Sequence, residues 1–340
     1  MPEITLSTRD GARFAFTCAT TETLLDAAET AGLYLPAMCH EGTCGACHAH
    51  VREGDYTLGT IGEGVLPDRD AGGVLLCRCR PDGDLQLDLP YDQSDIHRHQ
   101  IPRRTARVEE IAPAGSGAVA LKLVLEADDV LGNAADFTPG QYMEVSIPGT
   151  TIRRAYSLAN LPNWDGQLEF LIRLQPGGAF SSWLAQVAKP GEVLELRGPL
   201  GRFILDETSA RPRYLIGGGC GFAPVLSMLR HLAAFQNMQP TTLIFGVNRE
   251  DELFAVEQIE ELRSALPMLT VMLCVWHPQP SWQGFVGTAA EALAGLLTQS
   301  TTFPDIYVCG PPKLVSTVVD VAHSQGVPAN QVFTEQVQPR

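Results

Sequence analysis

Basic residues are scarce in this sequence of 340 residues, in which 24 Lys and Arg stand against 39 Asp and Glu, for a net charge of −15. Residues 1–97 contain no Lys and hold 16 Asp and Glu against six Arg. Because nucleic-acid binding depends on basic patches, this balance argues against a nucleic-acid partner. The acidic N-terminal part is either a solvated surface or a docking face for a basic protein partner.

Long apolar runs are also missing. The most apolar long stretch, 214–229, carries four glycines and a proline and is too short to span a bilayer comfortably. The segment Met1-Pro2-Glu3-Ile4 has neither a basic nor an apolar character, so we expect no signal peptide. Nine cysteines, an odd number, fit a reducing compartment better than a disulfide framework. We therefore expect a cytoplasmic protein that does not associate with membranes.

Four of the cysteines follow a recognisable spacing. The pattern C-x4-C-x2-C, then 29 residues, then a last cysteine, is formed by Cys39, Cys44, Cys47 and Cys77. This is the spacing of plant-type [2Fe–2S] ferredoxins, in which one loop supplies three thiolates and a distant segment supplies the fourth. Glycines inside the loop let the backbone curl and bring its N–H groups towards the sulfurs. The pattern predicts that these four thiolates bind a [2Fe–2S] cluster.

Other metal centres fit the same residues less well. A structural zinc site usually takes paired C-x2-C knuckles, whereas Cys77 and Cys79 are one residue apart and Cys39 would be left over. A Rieske centre needs two His ligands, which the adjacent pair Cys47-His48 does not supply in the usual spacing. Zinc therefore stays as the main alternative. Cys77 is preferred to Cys79 because it follows an apolar strand, as the fourth ferredoxin ligand does.

Periodicity divides the chain into three predicted domains. Alternating strands at 3–8 and 14–19, a helix capped by Thr21 or Thr23, and strands near 48–52 and 85–89 predict a β-grasp ferredoxin domain over 1–97. A linker follows over 98–104. Six short strands then predict an antiparallel β-barrel over 105–208, at 105–111, 119–127, 140–147, 153–159, 167–174 and 193–198.

The third domain, 209–340, alternates strands with helices and is predicted to be an open parallel α/β sheet. Its predicted strands are 214–216, 241–247, 269–276, 305–309 and a last short one at 332–333. Its predicted helices begin near 223 and cover 251–265, 288–298 and 312–324. The fold class is thus multidomain, α+β followed by α/β.

Four motifs in these last two domains suit nucleotide cofactors. A glycine-rich turn at 217–221 joins a strand to a helix, where phosphates bind, although tight packing alone also explains it. The strand 153–157 carries a cation, an aromatic ring and a hydroxyl that could meet a cofactor, although an ordinary strand with exposed polar residues also explains it. The loop 177–182 offers hydroxyls at a helix start, and Cys309-Gly310-Pro311 ends a strand at the ligand-binding edge of the sheet.

Taken in order, these motifs resemble the ferredoxin–NADP reductase family. The resemblance rests on Arg154-Ala-Tyr156-Ser157, Gly178-x-x-Ser181, Gly218-Gly219-Cys220-Gly221-x-x-Pro224 and Cys309-Gly310-Pro311. With its N-terminal ferredoxin, the chain is similar to the reductase components of bacterial multicomponent oxygenases, and most of all to those of soluble methane monooxygenases. Stretches such as Phe245-Gly-Val-Asn248 and Cys274-Val-Trp-His-Pro278 add to that likeness.

The resemblance implies roles for individual residues. Tyr156 would stack on the flavin ring, Ser157 would hydrogen-bond near flavin N5, and Cys309 would lie near the nicotinamide. Glu335 would approach the flavin, so that the implied catalytic set is Ser157, Cys309 and Glu335. The implied cofactor contacts are Arg154, Tyr156, Ser157, Arg173, Gly178, Ser181, Gly218, Gly219, Cys220, Gly221, Pro224 and Phe333. Cys220 departs from the Thr or Ser that this family often has, and His40 from the Arg usual after the first ferredoxin ligand.

The activity implied is an NADH-dependent reductase that passes electrons through FAD and the [2Fe–2S] cluster to the hydroxylase of a soluble methane monooxygenase. The carboxylates in Asn248-Arg249-Glu250-Asp251-Glu252 suit ribose hydroxyls and favour NADH, whereas Arg249 favours NADPH. Two alternatives stay open. One is the same electron chain serving an aromatic dioxygenase or a phenol or alkene hydroxylase, and the other is a non-enzymatic iron–sulfur redox sensor.

Overall fold

The structure, a computed structural model, describes residues 1–66, 68–98 and 100–336, and the last four residues of the predicted third domain lie outside this range. The chain divides into two compact units, Met1–Pro102 and Arg103–Arg340. The predicted boundaries at 97, 104 and 208 stay predictions.

The first unit is a mixed sheet with one helix packed against it. Its elements are β1 (Glu3–Ser7), β2 (Arg13–Thr17), α1 (Leu24–Thr30), β3 (His48–Glu53), β4 (Tyr56–Leu58), β5 (Gly73–Leu75), β6 (Cys79–Pro81) and β7 (Leu85–Asp88). Five strands form the sheet β2-β1-β7-β3-β5, with β1 and β7 parallel, and β4 pairs with β6. The helix buries Leu24 and Leu25 against inward side chains of β1 and β2. The predicted β-grasp class is confirmed.

Local chemistry explains how these elements begin and end. Gly11, at φ +85°, supplies the left-handed residue of the turn between β1 and β2. Of the two predicted caps, Thr23 is the one used, because its hydroxyl accepts the backbone N–H of Asp26. The short strands β4 and β6 have no alternation long enough to be recognised in the sequence.

The second unit begins with an antiparallel barrel. Its elements are β8 (Arg103–Pro113), β9 (Ala118–Leu125), β10 (Tyr142–Ser146), β11 (Arg153–Ser157), β12 (Gln167–Arg173), α2 (Ala179–Gln186) and β13 (Val193–Leu200). The sheet order is β11-β10-β13-β8-β9-β12, and a bridge between Leu158 and Phe170 joins the two outer strands. The predicted barrel is confirmed, although β8 begins at Arg103, inside the segment predicted as linker.

The same unit continues with a parallel α/β sheet. Its elements are β14 (Arg213–Gly218), α3 (Phe222–Ala234), β15 (Thr241–Val247), α4 (Val256–Ala265), β16 (Leu269–Val275), β17 (Phe285–Val286), α5 (Ala289–Gln299), β18 (Asp305–Gly310), α6 (Pro312–Ser324) and β19 (Val332–Gln336). All strands are parallel, and their order across the sheet is β17-β16-β15-β14-β18-β19. Successive strands are added on one side of β14 up to β17 and on its other side from β18 onward, and this change of side next to β14 is here called the strand reversal. Open parallel sheets bind ligands at such a reversal, outside the carboxyl ends of the strands.

Helix α3 packs the α/β sheet onto the barrel. The Arg230 guanidinium donates to the Ala159 carbonyl at 2.8 Å and to the Glu169 carboxylate at 2.7 Å. The Ser227 hydroxyl donates to the Asn160 carbonyl at 2.6 Å. One hydrophobic core runs through this contact and contains Ala159 and Leu171 of the barrel together with the buried side of α3. The barrel and the parallel sheet therefore form one body around the strand reversal.

Candidate cofactor sites

The strand register of the first unit brings the predicted cluster cysteines together. Strands β3 and β5 are antiparallel with His48 opposite Leu75, so that Cys47 and Cys77, at the ends of these strands, become neighbours. Their Sγ atoms are 3.3 Å apart, and both side chains are buried. Cys39 and Cys44, on the loop before β3, are half-buried. A pair of cysteines 30 positions apart thus meets through sheet pairing rather than through local sequence.

The loop places its donors around the Cys39 sulfur. The backbone N–H groups of Glu41 and Thr43 donate to Cys39 Sγ at 3.4 and 3.3 Å. Hydrogen bonds with Cys44 and Cys77 hold the pKa of the Cys39 thiol far below its ordinary value. Gly42, at φ +78°, lies so close to Arg78 that a Cβ would come within 2.6 Å of its Cγ. Such N–H···S hydrogen bonds favour thiolates and tune iron–sulfur centres.

The donor set is entirely sulfur, which suits soft iron–sulfur or zinc centres. Among residues 1–66, 68–98 and 100–336, no three His, Cys, Asp or Glu side chains already surround a single metal position. The four thiols contact one another instead. Cys79 is buried in the same hydrophobic core as Cys47 and Cys77, with Cys18 as its neighbour, and burial raises the pKa of its thiol to about 12. The gathered sulfurs are of the soft type that an iron–sulfur cluster takes, and their assignment as its ligands stays a prediction.

The three residues implied as catalytic meet in the second unit. Strands β18 and β19 are parallel with Cys309 opposite Glu335, and Ser157 ends β11 of the barrel. The Ser157 hydroxyl donates to Glu335 Oε2 at 2.9 Å, and the Cys309 thiol donates to the same oxygen at 3.9 Å. The structure thus brings together residues that are 178 and 26 positions apart in sequence.

Burial sets the protonation of this group. It raises the pKa of the Glu335 carboxyl to about 7, against the opposing effect of the hydrogen bonds from Ser157 and Cys309. Burial, together with the nearby Glu335 charge, also raises the pKa of the Cys309 thiol well above its ordinary value. A carboxyl with a pKa near neutrality can take up or release a proton at physiological pH, and the Ser157 hydroxyl is hydrogen-bonded to it.

The glycine-rich turn after β14 lies at the strand reversal. A Cβ on Gly221 would come within 2.5 Å of the Cys309 carbonyl oxygen, and one on Gly218 within 2.2 Å of the Leu314 side chain. Gly219 has φ +53° and open space where a Cβ would stand. Packing therefore accounts for Gly218 and Gly221, whereas Gly219 leaves its backbone accessible to a ligand.

Pro224 follows this turn and Cys220 lies within it. Helix α3 begins at Phe222, one residue before its predicted start, and Pro224 is its third residue. Cys220 is half-buried beside the core, and burial raises the pKa of its thiol to about 12, with Arg173 acting in the opposite direction. The thiol is thus protonated at neutral pH and offers a weak donor where a hydroxyl is usual.

The predicted flavin contacts of the barrel occupy both faces of β11. Arg154 and Tyr156 share one face and Ser157 takes the other, because side chains alternate along a strand. The Tyr156 ring centre is 5.3 Å from that of Phe180, and burial raises the pKa of its hydroxyl. Arg154 Nη1 donates to its neighbour's carbonyl at 2.7 Å. The half-buried Tyr156 ring remains partly available for stacking.

The remaining predicted contacts lie in three places. The Ser181 hydroxyl accepts the Gln175 N–H at 3.0 Å and closes the loop that ends at Gly178, the N-cap of α2. Arg173 lies 3.6 Å from the Glu252 carboxylate, on the side of the barrel that faces the loop after β15. Phe333 stacks on Tyr307 with ring centres 4.5 Å apart and planes 9° from parallel.

The sequence analysis did not identify the residues that hold the parallel sheet against the barrel. Arg230 and Ser227 fix α3 on the barrel, and Tyr307 supports Phe333 while accepting the Asp206 N–H at 2.8 Å. The available signal was an arginine within a mostly apolar helix. Tyr307 gave none, because an aromatic residue in a buried strand is ordinary.

Comparison with known proteins agrees with this arrangement. Three family models match: a 2Fe-2S iron-sulfur cluster binding domain at 7–82, an oxidoreductase FAD-binding domain at 117–204 and an oxidoreductase NAD-binding domain at 215–320. The electron transfer component of toluate 1,2-dioxygenase from Pseudomonas putida is 35% identical, over 92% of this chain and 91% of its own length. The chain belongs to the family of ferredoxin-fused reductases of oxygenases.

Further relatives place the chain within this family. Methane monooxygenase component C from Methylosinus trichosporium is 40% identical over 71% of either chain. The crystal structure of the Amycolatopsis cytochrome P450 reductase GcoB has a TM-score of 0.78 at 30% identity and covers 99% of both chains. The predicted oxidoreductase class and the predicted cofactors, the [2Fe–2S] cluster, FAD and NAD, are confirmed. The narrower resemblance to methane monooxygenase reductases is one among several. Within the described residues, no helix is long and apolar enough to cross a membrane.

Proposed function

We propose that this chain carries electrons from NADH, by way of FAD and the [2Fe–2S] cluster, to the hydroxylase of a soluble methane monooxygenase. The observation that carries the first step of this order is the hydrogen bond from Ser157 to Glu335, whose carboxylate also accepts from Cys309. It joins the FAD-binding barrel to the NAD-binding sheet at the strand reversal, where two stacked rings could meet. When bound, NADH supplies a hydride, FAD divides the electron pair, and the cluster passes single electrons onward.

The residues of this chain position and shield those groups. Cys39, Cys44, Cys47 and Cys77 hold the cluster, and the Glu41 and Thr43 N–H groups stabilise the Cys39 thiolate. Tyr156 would stack on the flavin ring, and Arg154 with the loop from Gly178 to Ser181 would bind the pyrophosphate of FAD. Ser157 donates to Glu335, so this pair can hold a proton near the flavin, and Phe333 and Cys309 would border the flavin and the nicotinamide.

The turn from Gly218 to Gly221 and the start of α3, with Pro224, accept the pyrophosphate of the nicotinamide nucleotide. Gly219 brings accessible backbone to this position, and the helix N-terminus favours an anion. Arg173, paired with Glu252, borders the same nucleotide from the barrel. These roles follow the family resemblance and are compatible with the contacts described above.

The choice of acceptor rests on relatives. The 40% identity to methane monooxygenase component C supports a soluble methane monooxygenase hydroxylase. A second candidate is the oxygenase of an aromatic-ring dioxygenase, which the 35% identity over nearly the whole chain supports. Purified hydroxylase of each class, incubated with this protein and NADH, distinguishes them. Product formation with the methane monooxygenase hydroxylase is expected, and turnover restricted to the dioxygenase would overturn that choice.

Substitution of one cysteine tests the place of the cluster. We expect Cys77→Ser to remove the iron signal and electron delivery to the oxygenase, while NADH still reduces a soluble dye at full rate. The matched control is Cys79→Ser, which removes a second buried thiol of the same core two positions away. Iron content, the electron paramagnetic resonance spectrum and both activities are measured. Normal delivery to the oxygenase by Cys77→Ser would contradict its role as a ligand.

A further inference from the structure

The loop after β15 contains an arginine whose charge is already neutralised. Arg249 Nε and Nη2 donate to the two carboxylate oxygens of Asp251 at 2.9 and 3.0 Å, in the two-pronged geometry typical of strong arginine–carboxylate pairs. Both side chains are more than half exposed, so the pair faces solvent. Arg249 Nη2 also lies 3.5 Å from Ser116 Oγ of the barrel.

The position of this pair on the sheet indicates which part of the nucleotide it would face. Strand β15 is the parallel neighbour of β14, whose glycine turn is placed at the nucleotide pyrophosphate. A nucleotide held there extends its adenosine ribose over the carboxyl end of the next strand, where a carboxylate commonly meets the ribose hydroxyls. The ribose 2′ position would therefore face residues 248–252. This step rests on the proposed function.

The other carboxylates of the loop are engaged by the chain itself. Glu250 Oε1 accepts the Gln279 N–H at 2.6 Å. Glu252 is buried, accepts the Asn248 N–H at 3.1 Å and pairs with Arg173. Asp251 is thus the carboxylate that faces both the solvent and the arginine. The sequence analysis expected several carboxylates of this loop to favour NADH. In the structure, Asp251 is the one of them that is left to face the ribose.

We propose that Asp251 selects NADH over NADPH by holding Arg249. The ribose hydroxyls of NADH can donate to the Asp251 carboxylate without disturbing the pair. A 2′-phosphate would have to take Arg249 from Asp251 and would then lie beside a carboxylate that repels it. Without Asp251, the same guanidinium becomes a phosphate-binding group at the ribose 2′ position.

The backbone around Asp251 is held independently of its side chain. The Ser116 N–H donates to the Asp251 carbonyl at 2.6 Å, and a Cβ on Gly115 would stand 2.8 Å from the Glu252 carbonyl oxygen. The turn between β8 and β9 therefore fixes this loop through main-chain contacts. Replacement of the Asp251 carboxylate changes the charge opposite Arg249 and leaves the loop in place.

The test compares Asp251→Asn with Glu257→Gln in the full-length, cofactor-loaded protein. Glu257 is an exposed carboxylate in the first turn of α4 and serves as the control for loss of one negative charge. We expect Asp251→Asn to raise the ratio of kcat/KM for NADPH to that for NADH by about 3-fold, as measured with a soluble dye. Calorimetric binding of 2′,5′-ADP should strengthen in parallel, and addition of Arg249→Ala should cancel both gains.

The outcomes separate this proposal from the proposed function. An unchanged ratio and unchanged 2′,5′-ADP binding in Asp251→Asn, with NADH turnover intact, would overturn the proposal alone. An equal gain in Glu257→Gln would also overturn it, because general charge rather than the Arg249 pair would then govern selection. Failure of NADH to reduce the flavin of the unaltered protein would overturn the proposed function instead.

Discussion

Glu335 is the most unusual single residue in the second unit. It is buried with its carboxylate between Ser157 and Cys309, and burial raises its pKa to about 7. Such a group is costly to ionise in the folded chain but not in the unfolded chain. Glu335 nevertheless lies at the contact of the barrel and the sheet, where it can hold a proton beside the proposed flavin site. The site therefore combines a destabilising carboxylate with a position suited to proton transfer.

Glu335→Gln should remove a pH dependence of stability. The folded chain holds the Glu335 proton up to a pKa of about 7, whereas the ordinary value is 4.5. The stabilisation from that proton is complete below about pH 4.5 and is lost as the pH rises through about 7, by about 3 kcal/mol in all.

Denaturant unfolding of both forms at a series of pH values in this window measures the effect. The free energy of unfolding of the unaltered protein, relative to Glu335→Gln, should fall as the pH rises. A constant difference between the two would contradict the raised pKa. Ser157→Ala serves as the control that removes a hydrogen-bond partner and keeps the carboxyl.

The sequence predicted the members of this site through family motifs and not through their spacing. Ser157, Cys309 and Glu335 lie in distant segments, and only the register of β18 with β19 places the last two opposite each other. The cluster cysteines were predicted from their spacing alone, because C-x4-C-x2-C followed by a distant cysteine is typical of a [2Fe–2S] loop. The Arg249–Asp251 pair escaped prediction, since a sequence shows both charges but not that they face one another.

At the scale of elements, the C-terminal end of α3 contains a residue in an unfavourable backbone conformation. The helix ends at Ala234, and Gln236 adopts φ +49° while its N–H donates to the Ala233 carbonyl at 3.0 Å. The Asn237 N–H donates to the Leu232 carbonyl at 2.9 Å, which completes a Schellman motif. This motif favours glycine at the left-handed position, because any Cβ there is strained.

Gln236→Gly should therefore stabilise the second unit. We expect the free energy of unfolding to rise by about 1 kcal/mol, since the left-handed penalty of an L-residue is removed and the exposed side chain loses little. Thermal unfolding monitored by circular dichroism measures the change. Gln236→Ala keeps the Cβ and should bring no comparable gain, and equal Tm values for Gln236→Gly and Gln236→Ala would contradict the argument.

Most elements of both units followed from periodicity, and the misses have local causes. Helix α4, predicted from 251, begins at Val256 because residues 250–252 form a separate turn and Ala255 takes φ +56° before the helix. An alanine gives no warning of such a conformation. Strand β17 has two residues and exists through its pairing with β16, which no local pattern reveals.

For the whole molecule, three cofactor-binding regions in one chain account for a reductase that converts hydride transfer into single-electron transfer. The sequence predicted the three folds and the cofactors because each needs motifs that are visible locally. The sequence did not determine which oxygenase accepts the electrons, since its recognisable motifs concern the binding of cofactors and not of the partner protein. The acidic character of residues 1–97 is compatible with docking onto a basic face of the oxygenase.

The ultraviolet–visible spectrum of the freshly, anaerobically purified protein, recorded before and after NADH, tests this account most directly. The account predicts flavin bands above a broad thiolate–iron absorption, both of which bleach when NADH is added. A flavin spectrum without iron absorption, from protein that contains stoichiometric zinc, would contradict the central claim for Cys39, Cys44, Cys47 and Cys77.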